Sequence, residues 1–124
     1  MNAIRLCLYI CTSLLLTACM TKTIPLNRQS HMTVNKGQTM SYEYKSHGSV
    51  GFSAKYRISD PEIVGFTDRK IKYKHPRRSH MSGGDGGTGI FYFKALSPGE
   101  TQIQIDHTFR GEVESQSEIT ITVE

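Results

Sequence analysis

From residue 39 onward, large side chains recur at every second position, and this period constrains the fold more than any other feature of the chain. Met40, Tyr42 and Tyr44 alternate with Thr39, Ser41 and Glu43. Phe52, Ala54, Tyr56 and Ile58 alternate with Ser53, Lys55 and Arg57, and Ile71 and Tyr73 with Lys70, Lys72 and Lys74. Phe91, Phe93 and Ala95 share one face of a further run, whose other face carries Ile90, Tyr92 and Leu96. Ile103, Ile105, His107 and Phe109 share a face, as do Ile119, Ile121 and Val123. Successive side chains of a strand point to opposite sides, so a period of two reads as half-buried β-strands. No window carries a helical period. Turn formers separate the runs, most plainly Ser97-Pro98-Gly99-Glu100. Seven to eight short strands within residues 31–124 predict an all-β, immunoglobulin-like β-sandwich.

The chain has 124 residues, enough for one such domain. Its overall hydrophobic content of 37% hides two unlike segments. Arg5 followed by an apolar run from Leu6 to Leu16 is too short, at about 16 Å as a helix, to cross a hydrocarbon core. A basic start, a short apolar stretch and small residues at Thr17-Ala18 predict a secretory signal peptide over residues 1–18. Leu16-Thr17-Ala18-Cys19 resembles a bacterial lipobox, which implies cleavage before Cys19 and acylation there. Several acyl chains make a durable anchor. Met20 stands where an Asp commonly retains such proteins in the inner membrane, so the expected location is the bacterial outer membrane, lipid-anchored through Cys19. Residues 19–30 are then a lipidated Cys and a polar tether, and residues 31–124 the folded domain.

After processing, 33 of the 106 residues from Cys19 onward are hydrophobic, and the folded domain holds no cysteine. Disulfides, thiol nucleophiles and thiolate metal sites are therefore excluded there. A thin core without covalent staples favours two packed sheets, which alternate residues suffice to fill.

Three connections are richer in glycine than a turn requires: Ser46 to Phe52, His80 to Gly89, and Phe109 to Glu112. Counted along the predicted strands they fall between the second and third, fifth and sixth, and seventh and eighth, an order that would bring them to one end of a sandwich. Glycine lets a backbone approach another surface closely.

These segments resemble the motifs of the chagasin family of cysteine protease inhibitors. Where that family has Asn-Pro-Thr-Thr-Gly-Phe, this chain has His47-Gly48-Ser49-Val50-Gly51-Phe52: Gly and Phe match, Ser49 and Val50 replace the paired Thr, and the Pro is missing. Gly84-Asp85-Gly86-Gly87-Thr88 matches the family's Gly-x-Gly-Gly-Thr in full. Arg110-Gly111-Glu112 stands for Arg-Pro-Trp and keeps only the Arg. The resemblance implies a monomeric, reversible, non-covalent, tight-binding inhibitor of papain-like cysteine proteases, with the three loops wedged into the enzyme's cleft. Loss of the Trp removes an aromatic anchor of a kind that often dominates an interface.

Arg69 to His80 holds six Lys or Arg, two His and no acid. Loss of Arg5 with the signal lowers the formal charge from +4 to +3, and that excess sits in one stripe. It reads either as a lysine-protected strand edge or as a surface for an acidic partner, anionic lipid or polysaccharide. Nucleic-acid binding would need interleaved aromatics, and only Tyr73 interleaves. His75 and His80 flank guanidinium groups that repel a cation, so no metal is expected. Gly83-Gly84-Asp85-Gly86 is a single copy of a pattern that binds calcium only in tandem, and it lacks the Lys of a phosphate loop. His107 has no nucleophile or orienting acid at recognisable spacing and reads as a core or loop-base histidine. No enzyme and no cofactor are expected. The alternative reading is a non-inhibitory envelope lipoprotein, an adaptor or host-contact module using the same loops and basic stripe.

Overall fold

The computed structural model describes residues 22–124. The expected signal peptide and Cys19 lie outside the described residues. Eight strands form: β1 (Ile24–Pro25), β2 (His31–Val34), β3 (Thr39–Ser46), β4 (Phe52–Ile58), β5 (Val64–Tyr73), β6 (Gly87–Ala95), β7 (Gly99–Phe109) and β8 (Glu112–Val123). They make two four-stranded sheets, ordered β1-β3-β6-β5 and β2-β8-β7-β4. This is the expected all-β, immunoglobulin-like sandwich.

The core is built as the period of two requires. Met40 and Tyr42 of β3 lie opposite Phe93 and Phe91 of β6 in the first sheet, and Ile103 and Thr101 of β7 lie opposite Ile119 and Ile121 of β8 in the second. All eight of these residues are buried. Nine large side chains, from Leu26 to Ile121, are almost completely excluded from water. At about 25 cal/mol per Å² of apolar surface, such a layer is the main source of stability in a domain without disulfides.

Two features depart from the expected pattern. Residues 19–30 were expected to be a tether, yet β1 pairs in parallel with β3, and Leu26 is completely buried with its amide bonded to the Ser41 carbonyl. Asn27 extends the pairing by bonding both the amide and the carbonyl of Glu43 through its side chain. A strand of two residues is too short to leave a periodic signal. Tyr56 faces inward as expected, edge-on to the buried rings of Phe91 and Phe93, yet stays 39% exposed. It lies on β4, an edge strand, and stacks on Phe66 of β5 at 4.5 Å and 14°, closing the open side between the sheets.

His107 keeps the role expected of it. Half-buried on β7, it shares a 2.9 Å hydrogen bond with the Tyr42 hydroxyl, which also donates to Ser117 Oγ at 3.0 Å. This polar link ties the two sheets together. A bulge at Glu114 shifts the β7–β8 register between His107 and Thr108, turning Val113 outward to 51% exposure.

Candidate functional site

The strand order brings the three glycine-bearing connections together. They join β3 to β4, β5 to β6 and β7 to β8 and emerge at the same end; the first crosses from one sheet to the other, one strand later than the expected count, while the other two close antiparallel hairpins.

The first loop is compact. The amides of Val50, Gly51 and Phe52 converge on the His47 carbonyl at 3.1, 2.9 and 3.1 Å, and the His47 amide donates to the Phe52 carbonyl. Val50 stands at the tip, 36% exposed. Gly51 has φ +106, and a Cβ there would lie 2.9 Å from Arg110 Cγ. Only glycine permits this turn and the 2.9 Å bond from the Arg110 amide to the Gly51 carbonyl.

The third loop is shorter than expected. Arg110 and Gly111 form a two-residue turn, with φ 52 and 82. Positive φ at both central residues matches a type I′ turn, whose twist suits a hairpin. Glu112, expected in the loop, opens β8. At the loop base Phe52 and Phe109 pair at 4.6 Å, with Lys45 Nζ 3.9 Å above the Phe52 ring and the Arg110 guanidinium 5.0 Å above that of Phe109. The Phe of the first motif is thus the floor of the loop cluster.

The second loop runs over residues 74–86, through a single 3-10 turn at Pro76–Arg78. The expected boundaries, His80 to Gly89, began too late and ended too late. The connection includes Lys74 to Ser79, and Gly87, Thr88 and Gly89 belong to β6, paired on both sides. The Pro76 that breaks the β5 run was the available sign of the true start. Gly87 serves the fold itself, because a Cβ there would collide with the Lys72 carbonyl.

The first and second loops are clasped together. Asp85 receives the Ser49 amide at 2.9 Å and, through its other oxygen, the Ser49 hydroxyl. Ser49 Oγ in turn accepts the Gly83 amide at 2.9 Å. The His47 ring lies beneath Gly86, with Nε2 3.2 Å from the Gly83 carbonyl and 3.5 Å from the Asp85 carboxylate. The bonds from Ser49 hold the Asp85 carboxyl below its ordinary value of 3.8. Behind the loops, burial pushes the Tyr44 phenol up while the neighbouring Arg69 guanidinium pulls it back. The clasp joins residues 36 positions apart, and no local signal in the sequence marked it.

His47, Gly48, Ser49, Val50, Gly51 and Phe52 therefore sit in the middle of the cluster, with Gly84, Asp85 and Gly86 on one side and Arg110 and Gly111 on the other. Thr88 and Glu112 lie at its strand roots. Residues 33–124 match the sequence model of the chagasin family peptidase inhibitors, I42. The chain belongs to the chagasin family. It is thus a member of a peptidase-inhibitor family and not an enzyme.

Solved structures show the same fold as this chagasin-family chain. The cysteine protease inhibitor EhICP2 from Entamoeba histolytica superposes with a TM-score of 0.64 at 13% identity, over 82% of this chain and 94% of that one. The solution structure of Amebosin gives 0.54 at 15% identity, over 82% and 96%. PbICP-C, solved in complex with falcipain-2, gives 0.53 at 13% identity, over 83% and 99%. No curated protein matches the chain in sequence.

Proposed function

We propose that this chain is a reversible, non-covalent inhibitor of papain-like cysteine proteases, and that it enters the enzyme's cleft with the three clustered loops. The observation that carries the reading is the mutual bonding of the loops, Ser49 to Asp85 on one side and Gly51 to Arg110 on the other. Loops ordered before binding lose less entropy on association, so more of the contact energy becomes affinity. Family membership and the falcipain-2 complex of PbICP-C support the choice of target class.

The family's Trp is absent, and an apolar contact must come from elsewhere. Besides Tyr73 at the end of β5, an exposed apolar side chain stands in or beside each loop: Val50 in the first, Met81 in the second, and Val113 next to the third, at 36%, 55% and 51% exposure. These three are the proposed replacements for the aromatic anchor. The purified chain should inhibit papain or a cathepsin at sub-micromolar concentration, with activity recovering on dilution. Full activity at large molar excess would exclude that enzyme class.

We also propose that Cys19 carries a lipid anchor in the bacterial outer membrane. The direction of β1 supports this geometry. It runs parallel to β3 and pairs with Met40 and Ser41, at the end of β3 away from the loops. The eight residues of β3 span roughly 26 Å. An anchor just before β1 would hold the domain by its far end and leave the loops pointing away from the membrane. Mass spectrometry of the processed chain should show an acylated N-terminal Cys19, and a Cys19→Ser variant should leave the membrane fraction. An unmodified thiol at Cys19 would refute the anchor.

A further inference from the structure

Beside the loop cluster lies a groove of about 570 Å³ on the first sheet. Its basic lining is Lys45, Lys72 and Lys74, with His47 and His75, and no Asp or Glu lines it. Strand register explains the convergence: Lys45 of β3 and Lys72 of β5 both lie opposite Thr88 of β6, so the three share one face. Lys74 continues β5 along that face, its amide bonded to the Gly86 carbonyl. Among the described residues the ion pairs are His47–Asp85 and Arg57–Asp106, and neither involves these lysines. Asp85, the nearest loop acid, turns both carboxylate oxygens to Ser49 instead.

Like charges gathered on one face of a sheet repel each other, and among the described residues no acid lies within ion-pair distance of these lysines. Protecting the β5 edge explains Lys70, Lys72 and Lys74 but not Lys45, which comes from another strand and keeps its ammonium over the Phe52 ring at the loop base. The groove also shares its wall with the loops, since His47, Gly83, Gly84 and Gly86 border both. A body large enough to cover the loops therefore stands over the groove as well.

We propose, building on the inhibitory reading above, that this groove is a second contact for the inhibited enzyme and takes an acidic stretch on the rim of its cleft. Charges at the rim of an interface act mainly on the rate of encounter and on its salt dependence. The groove would thus select acidic-rimmed enzymes among those whose clefts the loops fit.

The test compares the full chain with a Lys72→Glu, Lys74→Glu variant and with a Lys36→Glu, Lys94→Glu control. The control makes the same change of net charge at the opposite end of the sandwich, where Lys36 bonds the Glu124 carbonyl and Lys94 pairs with Thr39. The probe is papain before and after succinylation of its lysines, which makes its surface acidic. For the wild-type chain, association with the succinylated enzyme should be about tenfold faster at low salt, and the gain should vanish at high salt. The control should keep that gain and the groove variant should lose it, with unchanged thermal melting. Equal gains for all three chains, or equal losses for both variants, would overturn the groove. No gain for the wild-type chain would also overturn it while leaving inhibition in place. A wild-type chain that inhibits neither form would remove the inhibitory reading and the groove with it. If the groove variant loses only binding to a sulfated polysaccharide and keeps wild-type inhibition kinetics, the groove serves a different partner and the proposal fails.

Discussion

The hairpins β7–β8 and β5–β6 have the same antiparallel topology and opposite ways of turning round. The first reverses in two residues, Arg110 and Gly111, and its strands pair along their whole length. The second takes thirteen residues, 74 to 86, with one 3-10 turn and five backbone hydrogen bonds within the loop. A two-residue turn is ordered by backbone geometry alone. A loop of thirteen needs side chains to hold it, and Ser49, His47 and Asp85 supply them where it meets the first loop. One end of a sandwich can thus present a rigid loop and a longer one with similar order, provided a neighbouring loop acts as the brace.

The largest expected effect removes what both hairpins share. Ile105→Ala, at a completely buried position of β7, should cost about 2–5 kcal/mol in denaturant unfolding. Loss of both hairpins in a single transition would show that they fold as one unit, and separate transitions would break the comparison. Next is Asp85→Asn, which keeps the size of the side chain and removes its charge. It should loosen the second loop while leaving the two-residue turn intact. Inhibition should weaken by about tenfold, the scale expected when two ordered side chains are released. Hydrogen exchange should speed up at the Ser49 and Gly83 amides and not at Arg110. Unchanged exchange at those amides would show that the clasp is not what orders the loop.

A matched pair of glycines sharpens the contrast further. Gly111 and Gly83 have φ +82 and +81, and a Cβ at either would meet nothing within 4 Å. Gly111→Ala should cost about 1 kcal/mol of global stability, because the hairpin cannot relax without losing its register. Gly83→Ala should cost clearly less in the same thermal melt, since the longer loop can adjust. Equal costs would mean the second loop is as rigid as the first.

The smallest effect is in acid. The folded-state carboxyl of Asp85 is held below 3.8, so the stabilisation it provides is complete above the ordinary carboxylate range. It is lost only as pH falls through the depressed value. Clasp-dependent exchange protection at Ser49 should therefore be flat from neutral pH to about pH 5 and decline below pH 4. A decline that begins near neutrality would show that the Asp85 carboxyl is not the group responsible.

The strands were legible because their signal is local. Met40, Tyr42 and Tyr44 or Ile119, Ile121 and Val123 state which side faces the core within five residues of chain. Two sheets follow from a thin core with no staples. The loops were legible as glycine clusters, but their limits were not. Gly87 and Thr88 read as loop because glycine weakens a strand signal, whereas in the fold they pair between β3 and β5. Leu26 read as tether because a lone apolar residue has no period.

What the sequence determined by itself is therefore the class of fold, the inward faces of the long strands and the family of the chain, all written in short-range pattern or contiguous motif. The brace of Ser49 on Asp85, the close approach of Arg110 to Gly51 and the meeting of Lys45 with Lys72 across Thr88 arise from packing of the whole chain instead. Each of these pairs residues at least 27 positions apart along the chain. Such contacts depend on strand order and register, which the alternation of side chains permits in several arrangements and the packed core reduces to one.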